Sequence, residues 1–344
     1  MSDGQLPGPV LIGLEGWELK PRERDWLQNP QVGGVVLFSR NYHNLAQLEL
    51  LNESIRSAAH APMLICVDHE GGRVQRFQDG FTRLPPLGLL GRMHADAPEL
   101  ALDYAYRHAR VMATELLVAG VDHSFAPVLD LDVDSCVIGD RAFSAAPAAV
   151  ADLGRYYLAG MHDAGMRTCG KHFPGHGSVR ADSHTDDVLD GRPLAALERT
   201  DLVPFKALLG QLDAVMMAHV CYPEIDAAPA GYSAHWIQEV LRAQCDWSGV
   251  VLSDDLGMHA AAYAGKLRDR LFRSLEAGCD AVLVCQPEEV DELLHACAND
   301  RLPSAPGLLK LHGRNRVSRE ELQTVSEWRH WQQSIKDLEH CQWA

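Results

Sequence analysis

The sequence predicts an α/β fold: a (β/α)8 barrel of the TIM type, formed by a single domain with a helical extension at its C-terminus. Two observations lead to this prediction. Eight short apolar runs recur along the 344 residues, and most are separated by stretches with helical periodicity. Polar residues follow the runs, and two of these polar segments, 171–184 and 253–255, are dense in reactive side chains. Barrels of this class build their active sites at the C-terminal ends of the strands.

The eight predicted strands are short and mostly apolar, as expected for a parallel sheet that is buried on both faces. They span 10–14, 34–38, 63–67, 123–127, 167–170, 214–217, 250–252 and 281–284. The clearest predicted helices span 47–59, 99–119, 148–164, 202–209, 234–245, 266–277 and 288–298. Gly120, Gly165 and Gly278 directly follow three of them, which is a common helix C-terminal signal. Strands alternating with helices predict a right-handed parallel barrel.

The chain continues beyond the last predicted barrel helix. We expect residues 1–300 to form the catalytic barrel domain and residues 301–344 to form an extension packed on it. A loop is predicted at 303–307 and a helix over 318–338, with Ser318 as its N-cap and Glu321 three residues later. Trp328, Trp331 and Ile335 recur at helical spacing and are expected to pack the extension onto the barrel.

Charge and composition exclude several classes of partner. Lys plus Arg total 31 and Asp plus Glu total 47, so the formal net charge is −16. Nucleic acids and anionic membranes both favour a basic surface, so we expect neither as a partner. No signal peptide is apparent at the N-terminus, and no apolar run approaches the roughly 18 residues of a membrane span. The nine cysteines form no CxxC pair, which suits a reducing cytoplasm.

A long polar loop is expected after the fifth strand. Lys171 and His172 follow that strand directly and should point into the barrel mouth. The glycines and the proline of 173–177 disfavour a continuing helix or strand. Asp182 and His184 lie two residues apart, so the carboxylate could orient the imidazole and raise its pKa. A purely structural loop is the alternative, and for His176 a structural role is favoured.

Three other strand ends carry charged residues. Asp254 and Asp255 close the seventh strand, where only one of two adjacent side chains should face the mouth. Asp254 is the candidate for chemistry, and Asp255 suits a cap on the following segment. After the third strand, Asp68 precedes two glycines and Arg76, an arrangement that suits binding of sugar hydroxyls, with an ordinary salt bridge as the less favoured alternative. Arg141, after the fourth strand, is a further candidate.

These segments resemble family 3 glycoside hydrolases, and among them the single-domain bacterial β-N-acetylhexosaminidases of peptidoglycan recycling. The matching motifs, which occur in order along the chain, are VDHEGGRVQR at 67–76, IGDRAF at 138–143, KHFPGHG at 171–177, DSH at 182–184 and SDDLGM at 253–258. The region that resembles the family extends over roughly residues 10–290.

The resemblance implies a role for each candidate residue. Asp254 would be the nucleophile and His184 the general acid/base, with Asp182 as its partner. The residues implied as ligands of the N-acetylglucosamine ring are Asp68, Arg76, Arg141, Lys171 and His172. The implied substrates are N-acetylglucosaminyl-anhydromuramyl peptides, cleaved in the cytoplasm with retention of configuration through a covalent glycosyl-enzyme. No metal and no cofactor is expected.

Three alternatives stay open at the level of sequence. His172, His176, His184 and Asp254 could instead form the metal shell of a barrel hydrolase, although barrel metallohydrolases usually place paired histidines after the first strand. A non-catalytic sugar-binding barrel is the second alternative. The third is another family 3 β-glycosidase or a phosphorylase, since a histidine acid/base would repel phosphate less than a carboxylate does.

Overall fold

A computed structural model describes residues 5–179, 188–315 and 317–344 of the chain. All eight predicted strands are present, and together they form one parallel sheet. In chain order they are β1 Val10–Gly13, β2 Val32–Leu37, β3 Leu64–Val67, β4 His123–Ser124, β5 Cys169–Phe173, β6 Ala214–Met217, β7 Val250–Asp255 and β8 Ala281–Val284. Neighbouring strands in sequence pair with each other except β4 and β5, and β1 also pairs with β8, with Val10 opposite Val282.

The barrel closes between β4 and β5 through the residues that follow β4. The amide of Cys169 donates to the carbonyl of Ala126 over 2.8 Å, and the amide of Leu129 donates to the carbonyl of Lys171 over 2.7 Å. Val128 forms a parallel bridge with Lys171. The predicted (β/α)8 barrel is therefore confirmed, although β4 itself is shorter than the predicted strand at 123–127.

Helices surround the sheet. Their bounds are Pro21–Gln28, Leu45–Ala58, Leu87–Asp96, Pro98–Val118, Pro147–Ala164, Leu194–Leu197, Leu202–Leu208, Leu267–Ala277 and Pro287–Ala296, with a π-helical stretch at His235–Gln244. Pro21–Gln28 and Leu87–Asp96 were not predicted from the sequence. The first buries only Trp26 and Leu27 among its apolar residues, so its periodicity is weak. No helix in the described part of the chain has the length and apolarity to cross a membrane.

A small apolar core fills the inside of the barrel. Leu11, Leu64 and Leu252 belong to it, as expected for the layers of branched side chains inside such barrels. A short 3₁₀ helix, Pro306–Leu311, closes its lower end, because Leu308 and Leu311 are fully buried in the same cluster. The predicted loop at 303–307 therefore runs into this plug. The division of the chain at residue 300 stays a prediction.

The C-terminal helix differs from the prediction. Two helices, Arg319–Thr324 and Ser326–Asp337, replace the single helix predicted over 318–338. The hydroxyl of Thr324 donates to the carbonyl of Glu321 over 2.7 Å. In a continuous helix the carbonyl of Glu321 would accept a hydrogen bond from the amide of Val325. That amide donates instead to the carbonyl of Leu322. Ser318 and Glu321 do form the predicted capping box.

The second of these helices packs on Pro98–Val118, as the spacing of its apolar residues predicted. Trp328 and Ile335 are buried, and the ring of Trp331 packs edge-on against Tyr106 at 6.2 Å. The amide nitrogen of Gln332 donates to Glu115 over 2.7 Å. The extension thus covers the outer side of the helical layer.

Candidate active site

A cavity of about 400 Å³ opens at the C-terminal end of the barrel strands, within the usual size range of ligand sites. Six of the eight candidate residues line it: Asp68, Arg76, Arg141, Lys171, His172 and Asp254. The other two, Asp182 and His184, lie outside the residues that the structure describes. The strand ends at β3, β5 and β7, with the loop after β4, thus converge on one site, as the barrel prediction requires.

A cluster of charged side chains forms one wall of the cavity. The ammonium of Lys171 lies 2.6 Å from Asp68 Oδ1 and 2.6 Å from Glu70 Oε1. The guanidinium of Arg141 donates two bonds of 2.8 Å to the two oxygens of Glu70. Arg76 approaches Asp68 at 3.7 Å. Three cations and two carboxylates are therefore linked in a single network.

Burial and charge oppose each other in this network, which we call the Glu70 cluster (Asp68, Glu70, Arg76, Arg141 and Lys171). Burial tends to raise the pKa of Glu70, but the charges of Arg141 and Lys171 outweigh it and hold the pKa well below the usual range. For Lys171, burial tends to lower the pKa, yet Asp68 and Glu70 raise it above the ordinary value. Both groups are charged at neutral pH, so the network presents fixed hydrogen-bond donors to the cavity.

His172 is oriented by a buried carboxylate from the loop after β4. Its Nδ1 lies 2.7 Å from Asp130 Oδ2, and Asp130 is fully buried. Burial tends to raise the pKa of Asp130, but His172 beside it lowers the pKa below the ordinary value. An ionised Asp130 can only accept a hydrogen bond, so Nδ1 carries the proton and Nε2 faces the cavity.

Asp254 lies opposite His172 at the end of β7. Its Oδ2 is 3.9 Å from His172 Nε2, and its Oδ1 accepts a bond of 2.8 Å from the amide of Asp255. Burial tends to raise the pKa of Asp254, but His172 and that amide help to lower it below the ordinary value. Asp254 is therefore an ionised carboxylate at the mouth of the barrel, as a nucleophile must be.

Asp255, unlike Asp254, has a structural role. Its Oδ1 accepts the amides of Gly257 at 3.0 Å and Cys285 at 3.1 Å. These bonds tie the loop after β7 to the end of β8. Burial raises the pKa of Asp255. The side chain caps a turn rather than a helix, because the 3₁₀ helix that follows begins at His259.

His219 packs beside Asp254 and was not predicted from the sequence. Its Nε2 lies 3.1 Å from the carbonyl of Asp255, and its ring stacks on Tyr232 at 5.7 Å. Burial lowers its pKa, so the imidazole is neutral at pH 7 and Nε2 donates to that carbonyl. His219 thus supports the turn that carries Asp254.

Glycines let the loops after β4 and β5 lie close together. A Cβ atom at Gly177 would come within 1.6 Å of the carbonyl oxygen of Leu131. The carbonyl of Gly177 accepts the amides of Asp134 at 3.0 Å and Ser135 at 3.2 Å. The KHFPGHG motif therefore needs glycine at this position because two backbones meet there.

Glu70 and Asp130 are the other functional residues that sequence reasoning missed. Glu70 lies inside the motif at 67–76 and could have been found there. For Asp130, the only feature of the sequence that could have indicated a functional role is its position shortly after the fourth strand. The contact between His172 and Asp130 joins residues 42 positions apart, and no local pattern announces such a pair.

The metal-shell alternative can be compared with the described part of the site. Asp130 occupies Nδ1 of His172, which leaves that ring one free nitrogen. Within 5–179, 188–315 and 317–344, no group of three or more His, Cys, Asp or Glu side chains is arranged to hold a metal ion.

Comparisons with known proteins agree with the sequence motifs. A model of the glycosyl hydrolase family 3 N-terminal domain matches residues 5–306. A beta-hexosaminidase of Xanthomonas oryzae pv. oryzae is 53% identical over 306 residues, covering 89% of this chain and 91% of that protein. A beta-hexosaminidase of Stenotrophomonas maltophilia is 50% identical over 331 residues, covering 96% of this chain and 98% of that protein.

A solved structure is similar over nearly the whole chain. It is NagZ from Neisseria gonorrhoeae in complex with N-trifluoroacetyl-D-glucosamine, which matches with a TM-score of 0.90 and 40% identity, covering 97% of this chain and 99% of that chain. The barrel and these matches assign the chain to the glycoside hydrolases. Within that class it belongs to glycosyl hydrolase family 3, as a member of β-hexosaminidase type.

Proposed function

We propose that the chain is a retaining exo-β-N-acetylglucosaminidase that removes terminal N-acetylglucosamine from anhydromuropeptides derived from peptidoglycan. Its place would be cell-wall recycling in the cytoplasm. The observation that carries the proposal is the ionised Asp254, which faces His172 across a cavity lined by the Glu70 cluster. A carboxylate nucleophile beside fixed hydrogen-bond donors is what glycoside cleavage through a covalent intermediate requires.

The mechanism has two displacements at the anomeric carbon. In the first, Asp254 attacks that carbon while the bond to the leaving oxygen breaks, and His184 gives its proton to that oxygen. In the second, His184 takes a proton from water, whose oxygen displaces Asp254. Asp182 would orient the imidazole and raise its basicity. The proposed roles of His184 and Asp182 rest on the sequence motif, because both residues lie outside the described part of the chain.

The Glu70 cluster would bind the sugar ring. Asp68 can accept a hydrogen bond from a sugar hydroxyl, while Arg76, Arg141 and Lys171 donate them. His172 presents Nε2 to the same space. The charges of the cluster largely compensate one another, which suits a neutral sugar better than an anionic one. The N-trifluoroacetyl-D-glucosamine bound by the Neisseria protein supports N-acetylglucosamine as that sugar.

Labelling of the nucleophile tests the proposal. A slow mechanism-based fluoro-sugar with the N-acetylglucosamine configuration should inactivate the enzyme and label Asp254, as peptide mass spectrometry would show. Asp254→Ala should abolish turnover of an aryl β-N-acetylglucosaminide while the circular dichroism spectrum stays unchanged. Labelling of Asp255 would identify the other carboxylate as the nucleophile. No turnover of the aryl substrate by the wild-type enzyme would overturn the proposed function.

Phosphate as the acceptor is the competing outcome within the same family. The aryl substrate should release free N-acetylglucosamine at the same rate with and without phosphate. Formation of a sugar 1-phosphate would instead identify a phosphorylase, with phosphate oxygen replacing water in the second displacement. Chromatography of the products distinguishes the two results.

A further inference from the structure

Among the residues that the structure describes, four cationic side chains line the cavity, and they differ widely in how far they are exposed to solvent. The exposed fraction of the side chain is 2% for Lys171, 12% for Arg141, 30% for Arg76 and 49% for Arg73. The first three belong to the Glu70 cluster. Arg73 is the outermost, so it lies where the part of a substrate beyond the cleaved bond would leave an exo-acting pocket.

Arg73 is only weakly neutralised. Its Nε lies 3.6 Å from Asp140 Oδ1, and both side chains are about half exposed. Ion pairs of this kind in contact with water contribute little, at most about 1 kcal/mol. The positive charge of Arg73 therefore remains available to a ligand, whereas the charges of Arg141 and Lys171 are bound to Glu70.

The guanidinium is nevertheless held in place. Its Nη2 donates to the carbonyl of Val137 and, at 3.3 Å, to that of Ile138. Both of these residues line the same cavity from the loop after β4. A cation fixed by backbone carbonyls loses little side-chain entropy when a ligand binds, so the position is preorganised.

We propose that Arg73 forms an outer subsite that binds a carboxylate on the aglycone, the part of the substrate released by cleavage. The inference rests on the proposed function and adds the charge of the leaving group to it. A neutral sugar in the inner site needs no cation at the rim. In a chain with a net charge of −16, a cation at the mouth gives an anionic substrate a local attraction that opposes the repulsion by the net charge.

Two matched substrates test the subsite. One is N-acetylglucosamine β-linked to N-acetylmuramyl-L-alanine, whose peptide part ends in a free carboxylate; the other is its methyl ester, which is neutral. The readout is the ratio of kcat/KM for the acid to kcat/KM for the ester. For the wild type this ratio should fall as salt is added, because an exposed charge pair is screened.

Three variants give different expected ratios. Arg73→Gln should lower the ratio about 3- to 10-fold, the size of one partly exposed charge-assisted contact. Arg73→Lys should restore part of it, since the charge is kept and the forked geometry is lost. Asp140→Asn should change it in the opposite direction, raising it about 2-fold, because it removes the carboxylate that competes for Arg73.

Comparison of the acid with the ester in Arg73→Gln separates binding from a structural role. If Arg73 merely clamps the loop after β4, Arg73→Gln will lower kcat/KM for the acid and the ester equally, and the proposal is wrong. A ratio that is unchanged in all three variants would overturn it as well. Cleavage of the ester by the wild type shows in either case that the proposed function stands.

Discussion

Glu70 binds two cations that line the cavity at the barrel mouth, although it does not line the cavity itself. Its side chain is almost fully buried between Arg141 and Lys171. Loss of its charge leaves both cations with too little compensation, although their side chains are largely buried. We therefore expect Glu70→Gln to lower the free energy of unfolding by about 3 kcal/mol at neutral pH.

The pH dependence of this loss follows from the lowered pKa of Glu70. A carboxyl group whose pKa is lowered in the folded state contributes its full stabilisation at pH values above its ordinary pKa. This stabilisation is lost as the pH falls towards and through the folded-state pKa. The free energies of unfolding of the wild type and of Glu70→Gln should thus differ by about 1 kcal/mol less at about pH 3.5 than at about pH 7. Urea denaturation at both values measures it.

Glu198→Gln is the matched control. Glu198 pairs with Lys206 at 3.0 Å, but both side chains are about two-fifths exposed. Its substitution should change the free energy of unfolding by less than about 0.5 kcal/mol at either pH. An equal loss for both variants would mean that the Glu70 cluster adds nothing beyond an ordinary surface pair.

His184 provides a chemical prediction that depends on the leaving group. His184→Ala should affect aryl substrates with good leaving groups less than natural disaccharides, because a nitrophenolate departs without protonation. The second displacement still lacks its base, so the glycosyl-enzyme should accumulate, and KM should fall together with kcat. Azide needs no deprotonation and should restore turnover. Asp182→Ala should show the same pattern more weakly. Full activity of both variants on the disaccharide would place the acid/base elsewhere.

The sequence predicts most cavity-lining candidates but not their supports. Asp68, Lys171 and Asp254 could be found because each stands at the end of a recognisable strand. Asp130 and His219 could not be found in this way, because their roles are contacts between the ends of neighbouring strands that lie far apart in sequence. Such contacts depend on the tertiary structure and leave no periodicity in the sequence.

At the scale of elements, the apolar pattern predicts a helix well and its end less well. The helix Pro98–Val118 agrees with the predicted 99–119 within one residue at each end, since ten of its residues are buried. The break at Val325 could not be predicted, because it depends on a hydroxyl that bonds to a backbone carbonyl. That choice is local and independent of the apolar pattern.

The second helix of the extension should contribute substantially to stability. Trp328, on the side of this helix that faces the barrel, is only 7% exposed, so Trp328→Ala should lower the free energy of unfolding by about 3–5 kcal/mol. Trp17→Ala is the control, because Trp17 is 52% exposed and should cost less than about 0.5 kcal/mol. Guanidinium denaturation of the two variants measures the difference. Equal midpoints would show that the extension is only loosely attached.

At the scale of the whole molecule, the alternation of strands and helices predicts the barrel but not the plug beneath it. Pro306–Leu311 is a single short 3₁₀ helix, and the spacing of Leu308 and Leu311 is too brief to signal burial. Its position is determined by the space left at the lower end of the barrel, where Gly307 approaches Val250. That space exists only after the strands have closed into a ring.

Two adjacent leucines test the plug. Leu308 is fully buried in the inner core, whereas Leu309 is 38% exposed. Leu308→Ala should cost about 2–5 kcal/mol through the cavity that it leaves. Leu309→Ala should cost less than about 0.5 kcal/mol. Thermal and urea unfolding of both variants give the comparison, and similar losses would mean that the segment does not seal the barrel.

The first strand pairs with the eighth, through Val10 and Val282, and Leu308 fills the core beneath them. The barrel can therefore close only late in synthesis. The first strand has no partner on one side until the eighth has left the ribosome, and the inner core stays open below until the plug follows. The edge of the first strand therefore stays unpaired while most of the chain is being synthesised, and an unpaired strand edge is prone to aggregation. A nascent chain that stops short of the plug should accordingly depend on chaperones far more than the finished protein does.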